Sequence, residues 1–459
     1  MTSENKRWLL LVDYNLSRVG DVACMFDYAR TRYQLSTILI RHHPSQQDHQ
    51  LADAVIDLNP LDGGFVDQAL RALQPWLGQL AGGLVFSDNA VASGASLLKA
   101  LGLPVDDADL AQAAFSKSVY RQREQKHAEL FGAQSLYCPP FQIIRTQAEL
   151  AAFAERNPEG FVLKPSCEGN NRGVLLLKQG DDLAAAWQEV LPYLDGGLIA
   201  EGYIPFHREY SFDGIGNLHF ITEKISASGR YPVETGQLLP ARLQPAERHR
   251  LIRAGQSANL LVGQFAGPFH NEVKLDDAGA RTAVIEPNRR PAGMKIWHLA
   301  ERVYRQSFYQ LWVDSVLAQA LPQQLPAPRG QAATMMLGMP RDGELDIAAL
   351  PAPEQLLQQA LQRLGEQPDE LEFFEFAWLA PARRAYPLQA RDNGDFPAQV
   401  CVYTPDDGYD LHGWLQRFQQ AWASILLNYL GAPGVGEKLR RPAVAIAKNG
   451  GHGFLHAHH

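Results

Sequence analysis

The residues best suited to chemistry lie at positions 269–293, which read FHNEVKLDDAGARTAVIEPNRRPAG. Polar and apolar residues alternate on both sides of DDAG at 276–279, a pattern that predicts a β-hairpin. Glu286 and Asn288 are two positions apart on the second strand, so their side chains leave the same face. Glu272, on the first strand, is expected roughly opposite Glu286. The hairpin therefore predicts that these oxygen donors converge.

Two acids and an amide suit a hard divalent cation. Mg²⁺ prefers oxygen ligands and usually takes only one or two carboxylates, with water and substrate phosphates completing its shell. Arg289 and Arg290 follow directly, and a guanidinium group is suited to phosphate or carboxylate oxygens. The segment predicts a site for a metal, a phosphate group and an anionic substrate. From this segment alone, a solvated strand end that binds no ligand is an equally good interpretation.

Length and composition narrow the class of protein. The 459 residues are enough for roughly three domains of about 100 to 200 residues each. A net charge of −8 offers no general attraction to nucleic acid or to an anionic membrane. The four cysteines include no C-x-x-C pair, which argues against structural zinc and against a disulfide framework. We expect neither nucleic acid nor membrane as a partner.

The two ends of the chain carry little information about the fold. The N-terminal apolar run is too short for a signal peptide, and no run of about 18 apolar residues occurs in the sequence, so we expect a cytoplasmic protein. The histidine-rich tail at 451–459 is explained by adventitious metal binding or by a cloning remnant. It is left out of the fold prediction.

The elements that must position the hairpin begin with an N-terminal α/β unit at residues 1–105. Apolar runs at 8–13, 35–40, 54–58 and 83–87 predict buried parallel strands, and helices are expected at 21–32 and 65–80. No G-x-G-x-x-G follows the first strand, so a dinucleotide site is not predicted.

A glycine-containing loop follows a helical stretch that contains Lys117. On its own, Lys117 is more typical of a solvated helix face. Residues 161–165 and 173–178 predict strands around the loop SCEGNNR. Its backbone N–H groups could face phosphate oxygens, because glycine permits close approach and positive φ. An ordinary hairpin turn is the alternative, and the absence of G-K-[ST] and of a following helix excludes a Walker loop.

Further elements are predicted up to the C-terminal region. Glu201 interrupts an apolar strand at 198–204, and a buried acid needs donors, for which nucleotide amines and ribose hydroxyls are suitable. A strand at 218–223 precedes a loop at 226–239, and helices are expected at 245–261 and 296–317. A proline-rich linker at 319–331 leads to a third lobe with helices near 354–364 and 411–430.

Taken in order, these segments resemble the ATP-grasp superfamily. The resemblance rests on Lys117, FVLKPSCEGNNRGV, LIAEGYI, EYSFDG, Lys224 and E-P-N-R-R, the last of which is similar to the family's E-x-N-x-R. It covers about residues 8–318 and is nearest to the carboxylate–amine ligases that join amino acids into dipeptides. It implies an α/β and α+β protein with a parallel-sheet N-terminal domain (1–105), an ATP-grasp domain of two α+β subdomains (106–318) and a C-terminal α+β lobe (319–459).

The resemblance also implies roles for individual residues. Lys117 and Lys164 would hold nucleotide phosphates, and the loop with Ser166, Gly169 and Gly173 would cover them. The segment with Glu201, Tyr203 and Ile204 would meet adenine, largely through its backbone. The other implied roles are ribose binding by Glu209, phosphate binding by Lys224, substrate contact by Glu234, metal binding by Glu272, Glu286 and Asn288, and binding of the carboxylate or acyl phosphate by Arg290.

Two positions depart from the family pattern. Glu168 places an acid in the phosphate loop, where it should not face phosphate. Gln237 stands where the dipeptide ligases have a histidine, three residues after the acid that corresponds to Glu234. The second departure leaves the identity of the substrates open.

The reaction implied by the resemblance is ATP-dependent ligation of a carboxylate to an amine. An acyl phosphate would form, ADP and phosphate would be released, and Mg²⁺, or Mn²⁺ in its place, would be required. The partners would be small-molecule carboxylates and amines such as amino acids, and a homodimer is left open. The alternatives are an ATP-dependent small-molecule kinase on the same fold and a nucleotide-binding module without turnover.

Overall fold

A four-stranded parallel sheet with helices beside it forms the first part of the fold. The computed structural model describes residues 7–132, 136–169, 171–365, 371–380 and 382–430, so the histidine-rich tail lies outside the described residues. The elements are β1 (Trp8–Val12), α1 (Val19–Tyr33), β2 (Ser36–Arg41), α2 (Gln46–Leu51), β3 (Ala54–Asp57), α3 (Phe65–Ala72), β4 (Leu80–Val85) and α4 (Val91–Ala100). The order is β3-β2-β1-β4 with parallel pairing throughout, which confirms the predicted N-terminal sheet.

The helix predicted at 65–80 is shorter in the structure. It ends at Ala72, Pro75 lies in a short 3₁₀ turn, and Gly78 has a φ of 81°. Proline lacks the N–H that a continuing helix needs, and a left-handed residue reverses the chain. β4 therefore begins at Leu80 and not at the predicted residue 83.

A second sheet of four strands, all paired antiparallel, follows. Its elements are α5 (Lys117–Lys126), α6 (Ala128–Gly132), β5 (Phe141–Ile144), α7 (Gln147–Arg156), β6 (Phe161–Pro165), β7 (Leu175–Leu177), α8 (Leu183–Val190) and β8 (Leu198–Gly202). The strand order is β5-β8-β6-β7. Ile144, Leu163 and Leu198 are fully buried in the core between this sheet and its helices.

The third and largest sheet has eight antiparallel strands in the order β13-β12-β9-β10-β11-β14-β18-β16. A separate two-stranded sheet pairs β15 with β17. The elements of this part are β9 (Arg208–Ile215), β10 (Leu218–Ser226), β11 (Glu234–Leu239), α9 (Pro245–Leu261), β12 (Pro268–Leu275), β13 (Thr282–Asn288), α10 (Ile296–Tyr304), α11 (Phe308–Val316), β14 (Gln331–Leu337), β15 (Gly343–Asp346), α12 (Pro353–Leu364), β16 (Glu372–Trp378), β17 (Arg383–Tyr386), β18 (Ala398–Thr404) and α13 (Leu411–Leu426).

Two predicted elements in this part were wrong. The segment 226–239 was expected to be a loop, but β11 occupies its second half and pairs with both β10 and β14. The helix expected at 296–317 is broken into α10 and α11. Arg305 has a φ of 55°, which ends α10, and the Ser307 side chain caps α11.

The large sheet continues across the predicted boundary at residue 318. β14 pairs with β11, and Ala332 and Cys401 pack in the same core as Leu9 and Trp297. The boundaries at 105 and 318 stay predictions. Within the described ranges, no helix has the length and apolar character needed to cross a bilayer.

Candidate active site

A cleft of about 970 Å³ collects residues from all three larger sheets. This volume suits a nucleotide together with a small second ligand. Its wall includes the predicted residues Lys117, Lys164, Gly169, Glu201, Tyr203, Ile204, Glu209, Lys224, Glu234, Glu272, Glu286, Asn288 and Arg290. Ser166 and Gly173 are the predicted residues outside this wall.

The predicted hairpin forms from β12 and β13. Glu272 pairs with Glu286 across the antiparallel ladder, so both carboxylates lie on the cleft side. The Asn288 side chain donates from Nδ2 to the backbone oxygen of His270 at 3.1 Å. Its amide oxygen is therefore the atom left for a ligand. Two carboxylates and an amide oxygen are a donor set that fits Mg²⁺.

Each of the two acids is compensated by a lysine. Lys224 Nζ lies 3.0 Å from Glu272 Oε1 and 2.6 Å from Glu234 Oε1. Burial would lower the pKa of Lys224, but these acids raise it well above its ordinary value. Lys117 Nζ lies 3.2 Å from Glu286 Oε2 and donates to the backbone oxygen of Glu168 at 2.7 Å. Lys117 is buried, so the alternative of a solvated helix face is wrong.

Histidine 270 holds Glu272 from the other side. His270 Nδ1 lies 2.6 Å from Asp213 Oδ1, and Nε2 lies 3.8 Å from Glu272 Oε1. Burial opposes protonation of the ring, but Asp213 raises the pKa of His270 to about 9. Burial would raise the pKa of Glu272, whereas Lys224 and His270 hold it well below its ordinary value. Glu272 is therefore ionised at neutral pH, as a metal ligand must be.

The donors for Glu201 come from the protein and not from a nucleotide, which corrects the expectation for this side chain. Arg121 Nε donates to Glu201 Oε1 at 2.8 Å, and Lys164 Nζ lies 2.9 Å from Oε2. Burial would raise the pKa of Glu201, but these cations lower it to about 2. Glu201 thus positions Lys164 at the cleft. An adenine contact through the backbone of this segment stays a prediction.

Ser166 is a structural residue in the glycine-containing loop and not a cleft residue. Its Oγ lies 2.7 Å from Ser118 Oγ and 3.0 Å from Ser116 Oγ, which anchors the start of the loop on α5. Gly173 has a φ of 68° and packs against Tyr193 and Pro165, so its role is also conformational.

The tip of this loop does reach the cleft. Cys167, Glu168, Gly169, Asn171 and Arg172 all line its wall. The acid expected to be unfavourable there is neutralised, because Glu168 Oε2 lies 3.0 Å from Arg172. Phosphate therefore need not face an uncompensated carboxylate.

Part of the cleft wall, here called the apolar slot, is aliphatic. Val162, Leu176, Ile204, Val273 and Ile285 contribute aliphatic side chains to it. Tyr203 lies beside it, with Lys274 Nζ at 6.0 Å from the ring centroid. Glu209 accepts a hydrogen bond from Ser226 Oγ at 2.5 Å and lies 3.4 Å from Lys274 Nζ. A flat aromatic base with a polar edge fits these surroundings.

The two adjacent arginines point in different directions. Arg290 Nε donates to Asp88 Oδ1 at 2.5 Å, which connects the end of the hairpin to the loop after β4. Arg289 Nη1 donates to the backbone oxygens of Asp107 and Val262 at 2.6 and 3.1 Å, away from the cleft. Arg289 is therefore structural, and the expected anion binding is left to Arg290.

Glu234 and Gln237 are neighbours on β11. Gln237 Nε2 donates to Glu234 Oε2 at 3.2 Å, and Gln237 is fully buried. The glutamine that replaces the expected histidine therefore orients Glu234. With Lys224 on the other oxygen, Glu234 is held in a defined position at the cleft.

Comparison with known proteins finds sequence relatives and structural neighbours of the chain. No family model matches the chain. D-alanine–D-alanine ligase B of Chromobacterium violaceum is 29% identical over 214 residues, which are 45% of this chain and 67% of that protein. Matches to further D-alanine–D-alanine ligases span between 45% and 72% of those proteins.

Solved structures agree with the sequence relatives. An L-amino acid ligase from Bacillus licheniformis superposes with a TM-score of 0.68 at 16% identity, over 91% of this chain and 98% of that one. An ADP complex of N5-carboxyaminoimidazole ribonucleotide synthetase gives a TM-score of 0.64 at 13% identity, over 93% and 98%. These relatives and structural neighbours support the predicted resemblance to the ATP-grasp carboxylate–amine ligases. The mixed α/β architecture of the chain confirms the predicted fold class.

The site also contains residues to which no role was assigned from the sequence. Arg121, Asp213, His270 and Asp88 hold Lys164, Glu272 and Arg290 in place. Arg121 and Lys117 are one helical turn apart on α5, a spacing that could have indicated Arg121. Asp88 and Asp213 carry no comparable local pattern.

Proposed function

We propose that this protein is an ATP-grasp ligase that joins two amino acids through an acyl phosphate, releasing ADP and phosphate. The observation that carries the proposal is the convergence of Lys117, Lys224, the Glu272–Glu286 pair and Arg290 on one cleft. The chain spans only part of its sequence relatives, so its substrates are inferred from the chemistry of the cleft. Anionic and ammonium groups have partners there in Arg290 and Glu234.

The nucleotide would lie with its base in the apolar slot and its ribose near Glu209. Lys117 and Lys164 are the cations that would hold the phosphates, and the loop tip with Gly169 would cover them. Lys224 would approach the terminal phosphate from β10. Phosphoryl transfer depends chiefly on positioning and charge neutralisation, which these residues are suited to provide.

The residues Glu272, Glu286 and Asn288 would hold Mg²⁺, or Mn²⁺ in its place. When bound, such an ion would neutralise phosphate charge. The lysines that now compensate the two acids would then be free for phosphate. The donor set matches the preference of Mg²⁺ for few carboxylates.

In the first step, a carboxylate oxygen of the first substrate attacks the γ-phosphorus, and the bond to the β-phosphate oxygen breaks. In the second step, an amine nitrogen attacks the acyl carbon, phosphate leaves with the electron pair of the carbon–oxygen bond, and the proton lost by the nitrogen passes to the departing phosphate. Arg290 would stabilise the negative charge at this centre. The covering loop would keep water away from the acyl phosphate.

The test is an assay of nucleotide products with pairs of amino acids. We expect ADP and phosphate to form only when a carboxylate substrate and an amine acceptor are both present. Formation of AMP and pyrophosphate would contradict the acyl-phosphate route. A stable phosphorylated product without an amide would instead identify a kinase.

The proposal extends to the setting of the enzyme. Both substrates would be small molecules supplied in the cytoplasm, without nucleic acid or membrane as a partner. A homodimer is compatible with the reaction and is not required by it, because the cleft is formed by residues of one chain.

A further inference from the structure

Arg18 is a cleft residue without a role in the reaction described above. It follows β1 at the carboxyl edge of the parallel sheet, and Asp88 follows the neighbouring strand β4 at the same edge. Both residues line the cleft. Ligands of parallel sheets bind outside the carboxyl ends of the strands, where such loops meet.

The guanidinium group of Arg18 is held in one orientation. Nε donates to Asp21 Oδ2 at 2.5 Å, and Nη2 donates to the Tyr309 hydroxyl at 2.8 Å. The group also lies 4.8 Å from the ring centroid of Phe86. These contacts pre-organise the side chain, so little conformational entropy would be lost when it binds a ligand.

The charge of Arg18 is only partly compensated. Its partner Asp21 is shared, because His298 Nε2 lies 2.7 Å from the other carboxylate oxygen. Among the described residues, Nη1 of Arg18 has no hydrogen-bond partner. The Arg18 side chain is 13% exposed, so the free donor edge is within the cleft wall and not in open solvent.

Arg18 and Arg290 both line the cleft. Arg290 Nε donates to Asp88 Oδ1, and the Arg18 guanidinium lies over the ring of Phe86, two residues before Asp88. Two guanidinium groups in one cleft repel each other. An anionic ligand beside them would remove the repulsion.

We propose that Arg18 binds the carboxylate of the amine-donating substrate, beside the acyl group held at Arg290. A guanidinium fork matches a carboxylate in charge and geometry. This contact makes the second substrate an amino acid and not a simple amine, and it places the amine next to the acyl carbon. The inference rests on the proposed function and adds the recognition of the acceptor.

The experiment compares an amino acid with its carboxamide as the amine donor, for example alanine with alaninamide. The wild-type enzyme should prefer the free carboxylate by at least about 100-fold in kcat/KM, because the amide leaves Arg18 unpaired. Arg18→Gln should lose most of that preference by raising KM for the amino acid, with KM for ATP unchanged. Arg18→Lys should retain part of it.

Arg32→Gln is the matched control, because Arg32 is an exposed arginine on α1, the helix that directly follows Arg18, and does not line the cleft. Its preference should stay close to that of the wild type. An unchanged preference in a folded Arg18→Gln variant would overturn the proposal. If that variant does not fold, equal wild-type activity with the amino acid and its carboxamide would overturn it as well.

These outcomes are distinct from failure of the proposed function. If no pair of amino acids releases ADP, the ligase proposal itself is wrong. If amino acids support ADP release and Arg18→Gln keeps the same acceptor preference, only the assignment of Arg18 is wrong.

Discussion

Individual charges in the cleft are compensated before any ligand binds. Lys117 pairs with Glu286, and Lys224 pairs with Glu272. An incoming metal–nucleotide complex would exchange these partners, since phosphate attracts the lysines and the metal attracts the carboxylates. The protein therefore avoids leaving buried charges unpaired in either state.

Glu286→Gln tests this exchange at one residue. The variant keeps the size of the side chain but lacks the negative charge for the metal, so turnover should fall by about 100-fold or more. Glu286 is 24% exposed, and Lys117 keeps its hydrogen bond to the backbone oxygen of Glu168 in the variant, so thermal stability should fall much less than turnover. Steady-state ADP release and a melting curve measure the two effects.

The control for Glu286→Gln is Glu223→Gln on β10, which pairs with Arg242 outside the cleft wall. Its turnover should stay near the wild-type value. Equal losses of turnover and stability in Glu286→Gln would indicate that Glu286 is structural.

Glu201 makes stability depend on pH. Its folded pKa of about 2 lies below the ordinary value of 4.5, so its contribution is present above pH 4.5 and is lost as the pH falls from 4.5 to about 2. The difference corresponds to about 3 kcal/mol. Glu201→Gln should be less stable than the wild type at pH 7 by about that amount.

Denaturant unfolding at pH 7, 4 and 3 measures the contribution of Glu201 to stability. The difference in the free energy of unfolding between wild type and Glu201→Gln should become smaller as the pH falls. Glu344→Gln is the control, because Glu344 pairs with Arg383 and both side chains are more than half exposed. Exposed ion pairs of this kind contribute little to the free energy of unfolding. A difference in the free energy of unfolding that did not change with pH would contradict a stabilising role for the charge of Glu201.

At the scale of elements, those set by a local sequence pattern were predicted, whereas those set by tertiary contacts were missed. The β12–β13 hairpin was predictable because alternation and a turn lie within one short segment. β11 was missed because ETGQLL lacks an apolar run, and its pairing with β14 joins residues far apart in sequence. The partners of Glu201 and the direction of Arg289 were likewise set by distant elements.

The packing of α9 on the large sheet depends on a glycine, Gly255, which has no side chain. A Cβ at Gly255 would lie 2.3 Å from Phe212 on β9, which is fully incompatible with normal contact. Gly255→Ala should therefore lower the free energy of unfolding by about 1 to 3 kcal/mol, because the ring must move. Denaturant unfolding measures the change.

Gly20→Ala in α1 is the matched control for Gly255→Ala. Nothing lies within 4 Å of its added Cβ, so the higher helix propensity of alanine should raise stability by about 0.5 to 1 kcal/mol. If both variants changed the free energy of unfolding in the same direction, the close approach to Phe212 would not limit the packing of α9.

At the scale of the whole molecule, the cleft connects three sheets that are distant in sequence. Phe86 follows the parallel sheet, Lys164 belongs to the second sheet, and Glu286 belongs to the third. β14, β18 and β16 extend the third sheet, which no local pattern could predict because their pairing closes long segments of chain. A ligand in the cleft would contact all three sheets at once.

Binding of the metal–nucleotide complex should therefore stabilise the folded chain. At about 100 times its dissociation constant, a ligand specific for the folded state adds about 2.7 kcal/mol to the free energy of unfolding. We expect Mg²⁺ with ATP, or with a non-hydrolysable analogue, to raise the melting temperature. The same nucleotide with a chelator should raise it less, since the phosphates would then face Glu272 and Glu286 without a cation between them. Glu286→Gln should reduce the difference between these two conditions. An equal shift with and without the divalent ion, in wild type and variant alike, would place the nucleotide away from the hairpin and contradict the arrangement proposed for the site.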